Sequence, residues 1–193
     1  MTPGFVRPGV LTPLNGGPAG YFLTWTCFGT WLHGDSRGSI DRDHRALQTP
    51  PVTPNEARLV SAQRRMKSPP FALDAARRSQ VESAIVYVCE RAGWRIHALN
   101  VRTNHVHAVV TTDGKPEQAL TAFKGWATRQ MHGADIVEIG TRVWTKGGST
   151  RYLWTERDIE AAVTYVLEGQ GPALPGAGRW TLRSAEARGG DGQ

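Results

Sequence analysis

The order of periodic segments predicts an α+β domain, in which strand, helix, strand, strand, helix and strand follow one another in the split βαβ (ferredoxin-like) pattern. That pattern is an antiparallel sheet with two helices on one face, here with a further helix appended at the C-terminal end. Three observations carry the prediction. Tyr21-Phe22-Leu23-Thr24-Trp25-Thr26-Cys27-Phe28 and the run from Ile96 to Val110 are dense in β-branched and aromatic residues, as strands are. Val81, Ile85, Val88 and Cys89 recur at helical spacing between Asp74, a capping residue, and Gly93, a stop signal. Pro116 and the quartet Thr155-Glu156-Arg157-Asp158 each have the chemistry of a helix start.

Taken in chain order, residues 1–19 repeat Pro and Gly without periodicity and read as a flexible lead-in. The first strand is Tyr21 to Phe28. From 29 to about 70 the chain is irregular and Pro-rich, with a weak helical patch from Glu56 to Met66, and reads as an insertion over the core. A helix runs from Asp74 to about Arg91, then a strand from Trp94 to Val101. After Arg102-Thr103-Asn104 comes a strand from His105 to Thr112, closed by the turn Asp113-Gly114. The helix opened by Pro116 extends to about Met131, with Leu120, Phe123 and Ala127 on one face. Arg142–Trp144 and Tyr152–Trp154 read as strands around the turn Lys146-Gly147-Gly148-Ser149-Thr150. The last helix starts at Thr155 and ends near Glu168, stopped by Gly169. The working domain is thus 20–170, and 171–193 reads as a flexible tail apart from Trp180-Thr181-Leu182.

The 193 residues include 22 glycines and 12 prolines, are 39% hydrophobic and carry a formal charge of +6, a balance that favours a polyanionic partner such as nucleic acid. The two cysteines, Cys27 and Cys89, lie in apolar runs, which argues for buried thiols in a reducing compartment and against a disulfide framework or zinc cluster. No run approaches the roughly 18 apolar residues of a membrane span, and no apolar segment follows Arg7. A cytoplasmic protein is expected.

The motif with most chemical content is His105-Val106-His107. In a strand, positions i and i+2 share a face, so the two imidazoles project together and supply two thirds of a divalent-metal site. Tyr165, on the last helix, carries a hydroxyl that can act as a covalent nucleophile once its target is polarised.

These pieces resemble the HUH nuclease superfamily, and within it the single-tyrosine transposases of the IS200 type and the REP-associated tyrosine transposases. The resemblance covers about residues 20–170. It rests on the aromatic first strand, the segment Asn104-His105-Val106-His107, the helix around Ala122-Phe123-Lys124-Gly125-Trp126, the section from Val143-Trp144 to Tyr152-Leu153-Trp154, and the helix bearing Tyr165. It implies that His105 and His107 hold Mg²⁺ or Mn²⁺. It also implies that Tyr165 attacks a phosphodiester of single-stranded DNA, leaving a 5′-phosphotyrosine and a free 3′-OH. The implied partners are single-stranded or hairpin DNA and a second copy of the chain. The family places its third ligand, Gln or Asn, four residues after the tyrosine, where this chain has Gly169. Gln170, five residues on and chemically similar, and Glu168, three residues on, both remain candidates. Arg102, Asn104, Lys124, Arg129 and Arg151 are candidate DNA contacts, and Trp25, Trp126, Trp144, Tyr152 and Trp154 are candidate stacking surfaces. The missing side chain at Gly169 leaves room for a non-cutting protein that binds hairpin or single-stranded DNA. A replication initiator or relaxase would share the same chemistry.

Overall fold

In the first strand, Tyr21, Leu23, Trp25 and Cys27 are buried on one side, while Phe22, Thr24 and Thr26 alternate with them on the other. That two-sidedness sets the architecture: a sheet with a large apolar core on one face and a smaller core beside a polar site on the opposite face. The structure, a computed structural model, describes residues 17–32, 34–35, 54–172, 174 and 180–181. The elements are β1 (Gly20–Thr26), α1 (Glu56–Arg64), α2 (Ala75–Ala92), β2 (Arg95–Val101), β3 (His105–Thr111), α3 (Pro116–Gly133), β4 (Ser149–Leu153), α4 (Glu156–Glu168) and β5 (Trp180–Thr181). The sheet order is β4-β1-β3-β2-β5, antiparallel throughout. The fold is therefore the α+β, split βαβ arrangement with an appended C-terminal helix. The ends of the expected lead-in and tail, and residues 36–53 of the expected insertion, lie outside the described residues.

Helices α2 and α3 cover one face. Phe123 of α3 is fully buried there, stacked 6.2 Å from Trp25 and edge-on to Trp94 at 6.1 Å. The Asp74 carboxylate accepts from Arg77 N at 2.8 Å to start α2, and Gly93, at φ +68°, ends it in the left-handed conformation. On the other face α4 packs through Ala162 and Val166 onto Ala98, Val109 and Leu153. Among the described residues no helix is long and apolar enough to cross a membrane.

Two details depart from the expected strands. Arg142–Trp144 and Tyr152–Trp154 do not form a hairpin with each other. Cys27 bridges Trp144 and Thr24 opposes Ser149, so both pieces lie along β1, three steps on one chain facing five on the other. The Gly-rich segment is thus a two-residue bulge in one edge strand. Lys124 Nζ donates to Thr145 O (2.6 Å) and Gly147 O (2.8 Å) and holds the bulge out. At Gly148 a Cβ would lie 2.8 Å from Thr24 O, so only glycine passes β1 this closely.

The second departure is in β2. Ile96 pairs with Val110 and Ala98 with Val109, leaving His97 as the extra residue of a bulge. The bulge resets the alternation, so that Ile96, Leu99 and Val101 all enter the α2/α3 core and Asn100 turns to the α4 side. His97 Nε2 meets the Thr111 hydroxyl at 2.9 Å. Burial, with a smaller push from the Arg95 charge, brings the His97 pKa down from 6.5 to about 4.

Phe123→Ala is expected to cost about 3–5 kcal/mol of unfolding free energy, the range for a buried aromatic ring whose site cannot collapse, read by urea denaturation. Because the unfolded chain takes up the His97 proton near pH 6.5 and the folded chain only near pH 4, stability falls as pH drops across that window. His97→Gln should make that fall shallower in melts taken between pH 7 and pH 4.

Candidate active site

The register of three strands builds the site. Thr24 of β1 and Asn100 of β2 both oppose His107 of β3, so Thr24, His107 and Asn100 form one row across the sheet on its α4 face. His105 lies one rung on, opposite Thr26, with its ring centroid 4.7 Å from that of His107. The Thr24 hydroxyl meets His107 Nδ1 at 2.8 Å and can donate or accept, so it serves either tautomer of the ring. Asn104 Oδ1, an acceptor, takes the Nδ1 proton of His105 at 2.7 Å, which orients the ring with Nε2 toward the cleft. Burial first, then the charges of His105 and Arg102, push the His107 pKa down to about 4 against the opposing hydrogen bond with Gln170. His107 is therefore neutral at neutral pH.

Gln170 Oε1 lies 3.1 Å from His107 Nε2 and 3.4 Å from His105 Nε2. Three side-chain atoms, each able to offer a lone pair, converge on one point. Among the described residues no three His, Cys, Asp or Glu side chains gather. A cation held at this point would take an amide oxygen as its third donor.

Helix α4 brings up the tyrosine. The Thr155 hydroxyl accepts from Asp158 N while the Asp158 carboxylate accepts from Trp154 N and Thr155 N, a capping box that fixes the helix start. These hydrogen bonds hold the Asp158 carboxyl below its usual range. At the far end, Asn100 Nδ2 donates to Val166 O at 2.8 Å, satisfying a last-turn carbonyl in a buried setting. Between these ties the Tyr165 ring stands edge-on to His107 and to Phe22, 5.8 Å from each, and is half exposed. The helix ends at Glu168. Gly169 N donates to Tyr165 O at 2.9 Å, and the following turn brings Gln170 back over the imidazoles. Arg102 Nη1 donates to Pro172 O at 2.8 Å and secures the chain beyond that turn. The resulting cleft, about 680 Å³, is lined also by Trp31, Arg151 and the apolar face of α4 at Ala161 and Ala162. One chain supplies both imidazoles, the amide and the phenol.

The expected site residues separate clearly. His105, His107, Tyr165 and Gln170 meet in the cleft; Glu168 is exposed and does not line it. Of the five basic or amide residues expected to touch DNA, Arg151 alone lines the cleft. Asn104 orients His105, and Arg102 ties down the segment after Gln170. Lys124 is spent on the β4 bulge, its pKa lowered by burial. Arg129 stacks over Trp126 on α3, across the sheet from the cleft. Of the expected stacking surfaces, Trp25 is buried in the core, and Trp144 Nε1 donates to Lys124 O. Thr24 and Asn100 escaped sequence reasoning. Thr24 carries a usable signal, a polar residue on the same face of its strand as Phe22; Asn100 does not, because its face depends on the bulge at His97.

No protein-family model matches the sequence, and no curated protein matches it. Among solved structures, a REP-associated tyrosine transposase bound to a REP hairpin is similar at 14% identity, over 84% of this chain and 70% of that one, with a TM-score of 0.42.

A Cβ at position 169 would lie 2.8 Å from Tyr165 O and 3.0 Å from Tyr165 Cδ2, so the bare glycine is what lets the ring lie against the helix end. Gly169→Ala is expected to swing the tyrosine away from His107. Loss of the Tyr165–His107 ring-to-ring NOEs, with the rest of the spectrum kept, is the readout.

Proposed function

We propose that the protein is a metal-dependent, single-strand DNA endonuclease and strand transferase of the HUH type with one tyrosine, as the IS200-type and REP-associated transposases are. The observation that carries this reading is the convergence of His105 Nε2, His107 Nε2 and Gln170 Oε1 beside the Tyr165 ring in one open cleft. Few other chemistries need two imidazoles, an amide oxygen and a phenol together. The positive charge of the chain agrees with a polyanionic substrate.

Two imidazole nitrogens and an amide oxygen suit a divalent cation that accepts mixed ligands, and the likeness of the sequence motifs to the HUH transposases narrows the choice to Mn²⁺ or Mg²⁺. His105, His107 and Gln170 would hold it, with Asn104 and Thr24 orienting the rings from behind. When bound, the cation supplies positive charge that polarises a non-bridging phosphate oxygen. Tyr165 Oη attacks phosphorus, forming a P–O bond to the tyrosine as the P–O3′ bond breaks. The phenolic proton leaves to solvent and the 3′-oxygen departs as a hydroxyl, so a 5′-phosphotyrosine and a free 3′-OH result. Strand joining is the reverse step, with another 3′-OH attacking the phosphotyrosine. Phe22 and the aliphatic face of α4 keep water from one side of the tyrosine, and Arg151 supplies a positive charge to the strand in the cleft.

Labelled single-stranded DNA incubated with the protein and Mn²⁺ should give a covalent adduct on a denaturing gel. EDTA abolishes it, Tyr165→Phe abolishes it, and Thr24→Val raises the Mn²⁺ concentration needed about 10- to 100-fold by freeing the His107 ring. Binding without any adduct under all metal conditions would replace this reading with a non-cutting DNA-binding protein.

A further inference from the structure

We propose that the outer end of β4 is a stacking platform for unpaired nucleobases, with Trp154 and Tyr152 as its surface. The proposal extends the single-strand reading and rests on it for the choice of nucleic acid. Tyr152 and Trp154 are 44% and 60% exposed, unusual for rings of this size, and they stack on each other with centroids 6.1 Å apart and planes 22° apart. The pair is braced from beneath: Tyr21, itself only 8% exposed, sets its ring edge-on against Tyr152 at 5.2 Å. A pre-oriented π surface loses little side-chain entropy when a flat ligand lands on it.

Position supplies the second argument. Alternation along β4 turns Arg151 into the catalytic cleft and Tyr152 to the opposite side, and Trp154 follows at the step into the tyrosine helix. β4 is also one of the two outer strands of the sheet. A strand that runs from the cleft over this edge meets a positive charge at Arg151 and then two aromatic faces within three residues. The chain carries +6, which suits a polyanion with planar bases. Two rings expose far less than the roughly 800 Å² per partner of a stable protein interface, so a second protein is a poor occupant.

The ring of Trp154 can be removed without touching the helix cap, because the cap uses its backbone N–H. The probe is fluorescence anisotropy in EDTA, where no cutting occurs, with a labelled oligothymidylate of about 20 nucleotides and an abasic oligomer of the same length. Wild type should bind the thymidylate more tightly. Trp154→Ala should weaken thymidylate binding about tenfold and leave the abasic oligomer unchanged, with Trp154→Phe between the two. Equal affinity of wild type for both oligomers, or equal losses for both in Trp154→Ala, would overturn the proposal. The adduct assay on wild type separates the two readings: a base preference that depends on Trp154 without any adduct keeps the platform and removes the nuclease. An adduct with no effect of Trp154→Ala or Trp154→Phe on thymidylate binding removes the platform and keeps the nuclease.

Discussion

Everything at the site hangs on the register that sets Thr24, His107 and Asn100 side by side. In an antiparallel sheet a slip of one residue sends every side chain to the opposite face. Here such a slip in β1 would exchange Thr24 for Leu23 or Trp25, and the row would lose the hydroxyl behind His107. The register is held from the other side of the sheet, where Leu23, Trp25, Val106 and Ala108 are fully or almost fully buried under α2 and α3. The large apolar core therefore does two things at once. It holds most of the buried apolar residues, and by fixing which residues face inward it fixes which polar residues face outward.

The bulge at His97 extends the same logic to the third strand. Without an extra residue, β2 could not put Ile96, Leu99 and Val101 into one core and still turn Asn100 toward α4. Asn100 then reaches across to the Val166 carbonyl, so the strand beside the imidazoles also sets the height of the helix that carries Tyr165. A polar side chain in so buried a place must have its partner, since an unpaired amide there would cost about 1–3 kcal/mol. The need for a partner at Asn100 and the unfilled carbonyls of a helix end answer each other.

Much of this is legible in the sequence, and the illegible parts share a cause. The shared face of His105 and His107 follows from strand periodicity alone, and the start of α4 follows from Thr155 and Asp158, because both are local rules. The pairing of 142–144 and 149–153 with β1 is not local: a Gly-rich stretch between two short β-like runs looks the same whether it is a hairpin turn or a bulge in one edge strand. Gln170 is illegible for another reason. Five residues from Tyr165 puts it on the wrong side of an ideal helix, and only the end of α4 at Glu168 and the tight turn at Gly169 bring it back. Neither Gly169 nor Gln170 discloses the geometry when read alone.

The footing of α4 is narrow. Of its thirteen residues only Ala162 and Val166 are buried, and the tie at Asn100 and the cap at Thr155 do much of the rest. A helix with so few fully buried residues, backed by Ile159, Val163 and Leu167 at partial burial, should have amides that exchange with solvent ahead of those of the central strands. The site thus divides between the sheet and the helix laid on it. The imidazoles belong to the first, the phenol and the amide to the second and its end, so the cleft is complete only with α4 in place.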